Sequence, residues 1–167
     1  PTVWSYGHRN VQGMVYHAGA DLLIAHEHGP KGGDELNIIQ PGNNYGWPTI
    51  TYGINYDGTI ITDETEAPGM EQPNVKWVPS IAPSGMAIVE TNGFEDWAGD
   101  LLIGAMDGPA GQKLVRVDVS ADGTIGETED LLSDLQTGFR DVISTPNAIY
   151  VATNMLDGVI YRVEKAS

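Results

Sequence analysis

The 167-residue chain carries 8 lysines and arginines against 23 aspartates and glutamates, a formal net charge of −15, and it contains no cysteine. This acidity argues against binding to nucleic acid or to an anionic membrane surface, and the missing cysteines exclude a disulfide framework, a thiolate metal site and a cysteine nucleophile. With 41% hydrophobic and 19% charged residues the composition is that of a folded chain, and no apolar stretch approaches the ~20 residues of a membrane-spanning helix.

The predicted elements are short β-strands joined by tight turns. A helical spacing of apolar residues is nowhere sustained for more than a turn. Asp-Gly pairs at 57–58, 107–108, 122–123 and 157–158 mark turns, because both residues tolerate positive φ. In chain order, the predicted strands are Gly13 to His17, Asp21 to Ala25, Glu35 to Ile39, Met86 to Glu90, Asp100 to Gly104, Lys113 to Val119, Arg140 to Ser144, Ala148 to Thr153 and Val159 to Val163.

A weak internal repeat organises these strands. The segments 20–25, 99–104 and 147–152 are alike, and each is preceded by one apolar strand and followed by another. This layout predicts an all-β fold of antiparallel four-stranded propeller blades, about three of them, whereas closed propellers have ~4–8. Residues 1–167 are predicted to form one partial propeller domain, and residues 43–79 a long insertion of the kind that often carries function.

Five motifs along the chain carry a resemblance to a known family. They are the segments 7–13 (GHRNVQG), 27–37 (EHGPKGGDELN), 42–48 (GNNYGWP), 79–86 (PSIAPSGM) and 139–142 (FRDV). In this order they resemble the soluble pyrroloquinoline quinone-dependent aldose sugar dehydrogenases, the glucose/sorbosone dehydrogenase family, over roughly the C-terminal half of its domain. The resemblance implies a six-bladed propeller, periplasmic or secreted, that uses the quinone and calcium to oxidise the C1 hydroxyl of an aldose sugar to a lactone.

The same resemblance implies which residues face the cofactor. Arg9 and Asn10 would contact the quinone oxygens, and Arg9 would act catalytically by stabilising the charge that develops during hydride transfer. His28 and Asp34 would lie beside the cofactor, and Arg140 would meet one of its carboxylates. The alternative for Arg9 is a simple surface ion pair with one of the many acidic residues.

Two calcium sites are also implied. Their expected ligands are Gly29, Pro30, Glu35, Tyr45 and Asn55. The backbone carbonyls of Gly29 and Pro30 would hold the calcium next to the cofactor. Glu35, with backbone oxygens and either Asn55 or Glu71, would bind a second, structural calcium near the loop after Tyr45. An alternative without the resemblance is a zinc site at His26 and His28, for which no third ligand is evident.

The sequence departs from the family pattern at three places. No histidine stands upstream of the 7–13 motif as the general base, Asp107 replaces a lysine that relatives carry, and Gly138 replaces the first of two arginines. We therefore expect the isolated chain to be inactive unless the remaining blades, or a second copy of the chain, complete the propeller. The alternatives are a non-catalytic, calcium-stabilised propeller that binds carbohydrate or a protein partner, and a lactone- or ester-hydrolysing propeller.

Overall fold

The computed structural model describes residues 2–90, 93–108 and 110–164, and its regular structure there is almost entirely β. The helices in these ranges are two single turns of 3₁₀ helix, Glu95–Trp97 and Ser133–Leu135. Within the same ranges no helix is long and apolar enough to cross a bilayer. The strands therefore determine the architecture.

Three antiparallel sheets follow one another along the chain. The first sheet contains, in order, β1 (Val11–His17), β2 (Leu22–Glu27), β3 (Asp34–Ile38) and β4 (Val75–Trp77). The second contains β5 (Pro83–Ile88), β6 (Leu101–Ala105), β7 (Lys113–Val119) and β8 (Ile125–Leu131). The third contains β9 (Phe139–Thr145), β10 (Ala148–Thr153) and β11 (Ile160–Val163). The first strands of neighbouring sheets contact one another, β1 with β5 and β5 with β9, so the sheets are three blades of a β-propeller and the predicted fold class is confirmed.

The predicted repeat corresponds to the second strand of each blade. Its three copies overlap β2, β6 and β10, each hydrogen-bonded to a strand on both sides. All five residues of β6 are buried, because the middle blade has a neighbour on each face. This double burial explains the nearly continuous apolar runs of the repeat.

The apolar core lies between the blades in two clusters. Between the first and second blades, Ile24 and Leu36 pack with Leu101 and Ile103. Between the second and third blades, Leu102 packs against a cluster around Phe139, Val142 and Ile149. Successive residues of β6 therefore serve opposite faces of one sheet, which is the period of two that a strand imposes.

Two strands were missed by the sequence-based prediction. β4 has only three residues and follows a Pro-rich segment, but its pairing with Asp34–Leu36 of β3 makes it the outer strand of the first blade. It lies inside the segment predicted as an insertion. β8 is polar and largely exposed on an outer edge, so it lacks the alternating apolar pattern that identifies strands.

Polar contacts also join the blades. The His17 ring accepts the Ala20 N–H at Nδ1, which leaves a proton on Nε2 for donation to the Gly99 carbonyl at 2.9 Å. The Ser84 hydroxyl lies 2.9 Å from the Gly104 carbonyl and 2.7 Å from the Phe139 carbonyl, so it joins the second and third blades. These buried contacts fix neighbouring blades relative to one another.

Candidate functional site

Two loops of the first blade bring Arg9, Asn10 and His28 together. Arg9 and Asn10 precede β1 and His28 follows β2, and these strands pair so that Val11 is opposite Glu27. The Glu27 carboxylate accepts hydrogen bonds from the N–H groups of Arg9 at 2.5 Å and of Asn10 at 3.1 Å. The His28 N–H donates to the Asn10 carbonyl at 3.0 Å. The pairing therefore continues beyond the strands and fixes the backbone of both loops.

The side chain of Arg9 folds over the loop between β2 and β3. Its Nη1 donates to the carbonyl oxygen of His28 at 3.0 Å and to that of Gly29 at 2.7 Å. Its guanidinium carbon lies 5.3 Å from the centroid of the Trp47 ring, within the range of a cation–π contact. Two backbone carbonyls thus converge on one cation, and that cation belongs to the protein itself.

The buried carboxylate of Asp34 joins this loop to the start of the second blade. Its Oδ1 accepts the N–H of Gly29 at 3.0 Å. Its Oδ2 accepts the Ser80 hydroxyl at 2.6 Å and the N–H groups of Ile81 at 2.9 Å and Ala82 at 3.0 Å. Because a carboxylate strengthens each of these bonds, Asp34 acts as a staple between two loops.

A cavity of about 520 Å³ opens between the loops that Asp34 joins. Its lining residues are His28, Gly29, Pro30, Lys31, Gly32, Ile54, Tyr56, Val78, Pro79, Ser80, Ala82 and Gly108. The volume lies within the ~300–1,000 Å³ typical of small-molecule pockets. His28 and Gly29 belong both to the cavity wall and to the contacts of Arg9, so the cavity adjoins the predicted cofactor residues.

A pair of carboxylates lies at the two ends of the loop between β2 and β3. Glu27 and Glu35 face each other across β2 and β3. Burial raises the pKa of Glu35 to about 7; the Asn37 amide, which donates to it at 3.2 Å, opposes that effect, and the negative Glu27 adds to it. A cavity of about 10 Å³ adjoins both carboxylates, roughly the space of one water or ion. A hard cation there would offset the cost of burying two negative charges.

The structure brings some predicted metal ligands together and separates others. Glu35 and Tyr45 both line the small cavity, although the Tyr45 hydroxyl is engaged in donating to the Ile38 carbonyl at 2.7 Å. The Asn55 amide donates to Thr59 within its own exposed turn. Across the described ranges, no group of three or more His, Asp or Glu side chains could hold a metal ion. A calcium ion beside Glu35 would therefore need backbone oxygens for most of its ligands.

Arg140 is exposed on β9 of the third blade and does not line the cavity beside His28 and Gly29. The two missing cations of the family pattern, at Asp107 and Gly138, are not replaced by a neighbouring lysine or arginine among the described residues. The Lys113 ammonium donates to Asp130 at 2.7 Å, which commits it to the outer strands of the second blade. A Cβ atom at Gly138 would lie 2.0 Å from the Met106 carbonyl oxygen, so an arginine there requires the backbone to move.

The two histidines considered as zinc ligands have different environments. His26 is fully buried, neither of its ring nitrogens has a hydrogen-bond partner in the described part of the chain, and burial lowers its pKa to about 4. The His28 Nε2 donates to the Pro83 carbonyl at 2.7 Å. His28 therefore connects the first two blades, and His26 is a buried packing residue.

Sequence reasoning missed Glu27, Ser80 and Tyr56. No role was predicted for Glu27, although it begins the matching segment 27–37, and its hydrogen bonds to the Arg9 and Asn10 backbone were not foreseen. A prediction of the β1–β2 register would have revealed it, since residues opposite each other on paired strands lie close together. Ser80 and Tyr56 enter the site through loops, for which the sequence pattern gives no register.

Comparison with known proteins gives a consistent match. The family model described as "Glucose / Sorbosone dehydrogenase" matches residues 1–162. The chain is 40% identical over 164 residues to "Aldose sugar dehydrogenase YliI" of Escherichia coli (strain K12), covering 96% of this chain and 43% of that protein.

Solved structures match as well. The fold superposes on a structure described as "Crystal structure of glucose dehydrogenase" with a TM-score of 0.89 and 42% identity, covering 98% of this chain and 47% of the other. It superposes on the PQQ-bound form of an aldose sugar dehydrogenase from Streptomyces coelicolor with a TM-score of 0.71 and 26% identity, covering 96% and 44% respectively. The chain thus spans less than half the length of the relatives it matches.

Proposed function

This chain belongs to the glucose/sorbosone dehydrogenase family, and on that basis we propose that it forms part of an oxidoreductase that converts the C1 hydroxyl of an aldose sugar to a lactone with pyrroloquinoline quinone and calcium. The observation that carries the proposal is the meeting of Arg9, Asn10 and the 28–30 loop beside a ligand-sized cavity. A relative of similar fold is described as PQQ-bound, which supports the choice of cofactor.

The residues present fit such a cofactor. The carbonyl oxygen of Gly29 already accepts a hydrogen bond from a cation, and Pro30 lines the same cavity, so this loop presents backbone oxygens of the kind that calcium uses. When bound, the quinone supplies an electrophilic carbonyl that accepts hydride, and calcium polarises it. Arg9 and Asn10 would hold the quinone oxygens, and Arg9 would stabilise negative charge there.

Other residues of the chain would position the ligand. His28, fixed by Pro83, would keep one edge of the cavity in place, and Asp34 would keep the two loops at a constant separation. Arg140 would approach a cofactor carboxylate from the third blade. Glu35, with backbone oxygens around the small cavity that it shares with Tyr45, would hold the structural calcium, whose charge offsets the Glu27–Glu35 repulsion.

The proposal requires more than this chain. Further blades would come from the rest of the protein or from a second copy of the chain. The general-base histidine would come from outside this sequence, and the isolated chain would be inactive. Residues 1–167 would form one partial propeller domain in which residues 43–79 are a long insertion. By its resemblance to the family, the enzyme would be periplasmic or secreted.

A non-catalytic, calcium-stabilised propeller is the second candidate. Two observations favour it: Lys113 is paired with Asp130, and Gly138 has no space for a side chain. Neither position therefore offers a cation to the three carboxylates of the cofactor. This candidate retains calcium binding and binds no quinone.

Sugar-dependent dye reduction by the gene's complete product, loaded with quinone and calcium, tests the proposal. We expect activity in the wild type, a loss of roughly 10²-fold or more in Arg9→Ala, and little change in Arg162→Ala, which alters an arginine on the third blade. Quinone binding without sugar oxidation would reject the substrate class. Calcium-dependent stability without quinone binding would select the non-catalytic candidate.

A further inference from the structure

The Gly29 carbonyl oxygen has two potential cationic partners. It accepts a hydrogen bond from Arg9 Nη1 at 2.7 Å in this structure, and it is also one of the oxygens assigned above to calcium. A guanidinium and a divalent ion on one oxygen repel each other strongly, because like charges a few ångströms apart interact by several-fold RT even at a screened, protein-like dielectric. The two cations therefore compete for this oxygen.

The surroundings of Arg9 suit a displaceable cation. Its contacts through Nη1 are to two neutral carbonyls, those of His28 and Gly29, and no ion pair of its guanidinium occurs in the described part of the chain. The backbone around it does not depend on the guanidinium, because Glu27 holds the Arg9 N–H through a separate hydrogen bond. The guanidinium can thus leave the carbonyls without disturbing the loop.

We propose that Arg9 is an internal counter-cation for the His28 and Gly29 carbonyls in the metal-free protein, and that calcium binds the Gly29 carbonyl only by displacing Arg9. This inference rests on the proposed function, since it uses the calcium site assigned there. The displaced guanidinium becomes free to meet an anionic or electron-rich group in the adjoining cavity. Metal binding and the positioning of Arg9 are therefore one event.

The inference makes an unusual prediction: removing a residue of the cofactor site should tighten calcium binding. Calcium affinity of the complete, quinone-free protein would be measured in a Glu35→Gln background, which removes the carboxylate of the second calcium site. Titration calorimetry gives the affinity, and tryptophan emission adds a local signal because Arg9 lies over the Trp47 ring. Arg9→Gln, which keeps a hydrogen-bond donor but loses the charge, should bind calcium at least about tenfold more tightly than wild type. Arg9→Lys should stay close to wild type.

Two further variants control the experiment. Arg162→Gln removes the same unit of charge from the third blade, where Arg162 pairs with Glu164, and should leave calcium affinity within about twofold. Trp47→Phe should abolish the emission change on calcium addition but not the heat of binding. Together these variants separate a local effect of Arg9 from the chain's overall acidity.

Each outcome bears on the inference. Tighter binding in Arg9→Gln alone supports it. Equal affinity in wild type and Arg9→Gln overturns it while leaving the calcium site standing, and an equal gain in Arg162→Gln overturns it in favour of a general charge effect. If no variant binds calcium, the metal site of the proposed function fails and this inference fails with it.

Discussion

Replacing Asp34 with asparagine tests the staple that joins the first two blades at the cavity. An amide has one acceptor oxygen, so at best it keeps the contacts of Oδ2 with Ser80, Ile81 and Ala82 while the N–H of Gly29 loses its partner. Leaving that buried donor unpaired costs about 1–3 kcal/mol, and loss of the charge weakens the remaining bonds by about 1 kcal/mol in total or more. We expect a total loss of about 2–4 kcal/mol in the free energy of unfolding.

Urea unfolding of the complete protein measures this loss, and Ser80→Ala provides the matched control. That variant removes one donor to the same carboxylate and should cost about 1 kcal/mol. Amide hydrogen exchange adds a local readout, because the N–H groups of Gly29, Ile81 and Ala82 should lose protection in Asp34→Asn. If Asp34→Asn unfolds at the same urea concentration as Ser80→Ala, with these amides still protected, the staple does not exist.

Three further predictions follow from buried groups. Burial lowers the pKa of His26 to about 4, so the folded state favours the neutral ring. The free energy of unfolding should therefore be highest above pH ~6.5 and fall by about 3 kcal/mol in all as the pH declines towards 4. The difference in stability between wild type and His26→Leu should follow this curve, and a pH-independent difference would contradict it. Leu102→Ala, at the fully buried contact between the second and third blades, should lower the free energy of unfolding in urea by about 2–5 kcal/mol. Leu135→Ala, at an exposed site, should change it by no more than about 0.5 kcal/mol, and similar losses in both variants would argue against the inter-blade core. Gly138→Arg should destabilise the fold by more than about 2 kcal/mol, because its Cβ atom would clash with the Met106 carbonyl oxygen. Calorimetry should show no gain in quinone affinity for this variant. A stable variant that binds quinone more tightly would refute the steric argument.

The fold could be predicted as far as burial leaves a pattern in the sequence. β6, the second strand of the middle blade, is buried on both faces and is therefore apolar throughout, and the mostly apolar β2 and β10 made the blade repeat visible. The outer strands are different: β8 is exposed along most of its length, and β4 owes its existence to pairing with β3. Their formation depends on a partner strand that local composition does not specify.

The motifs predicted part of the clustering around the loop between β2 and β3, but not the contacts within it. Arg9, Asn10, His28 and Gly29 do come together as the motifs indicated. Their hydrogen bonds depend on how the loop between β2 and β3 turns, and no periodicity describes that turn. Asn55 shows the same limit, because its amide bonds inside its own turn.

Some contacts around the cavity can persist when a ligand binds, and others must break. Only the contacts that break add to the free-energy cost of ligand binding. Glu27 accepts backbone N–H groups, Asp34 joins two loops, and His28 donates to Pro83; a ligand in the cavity need not break any of these contacts. Arg9 alone among these residues satisfies carbonyls that the proposed ligand also requires. Substitution of Asp34 should therefore lower both stability and binding, because it loosens the walls, whereas substitution of Arg9 should change binding and leave stability nearly constant. A protein in which both substitutions lower stability equally would have no such division of roles.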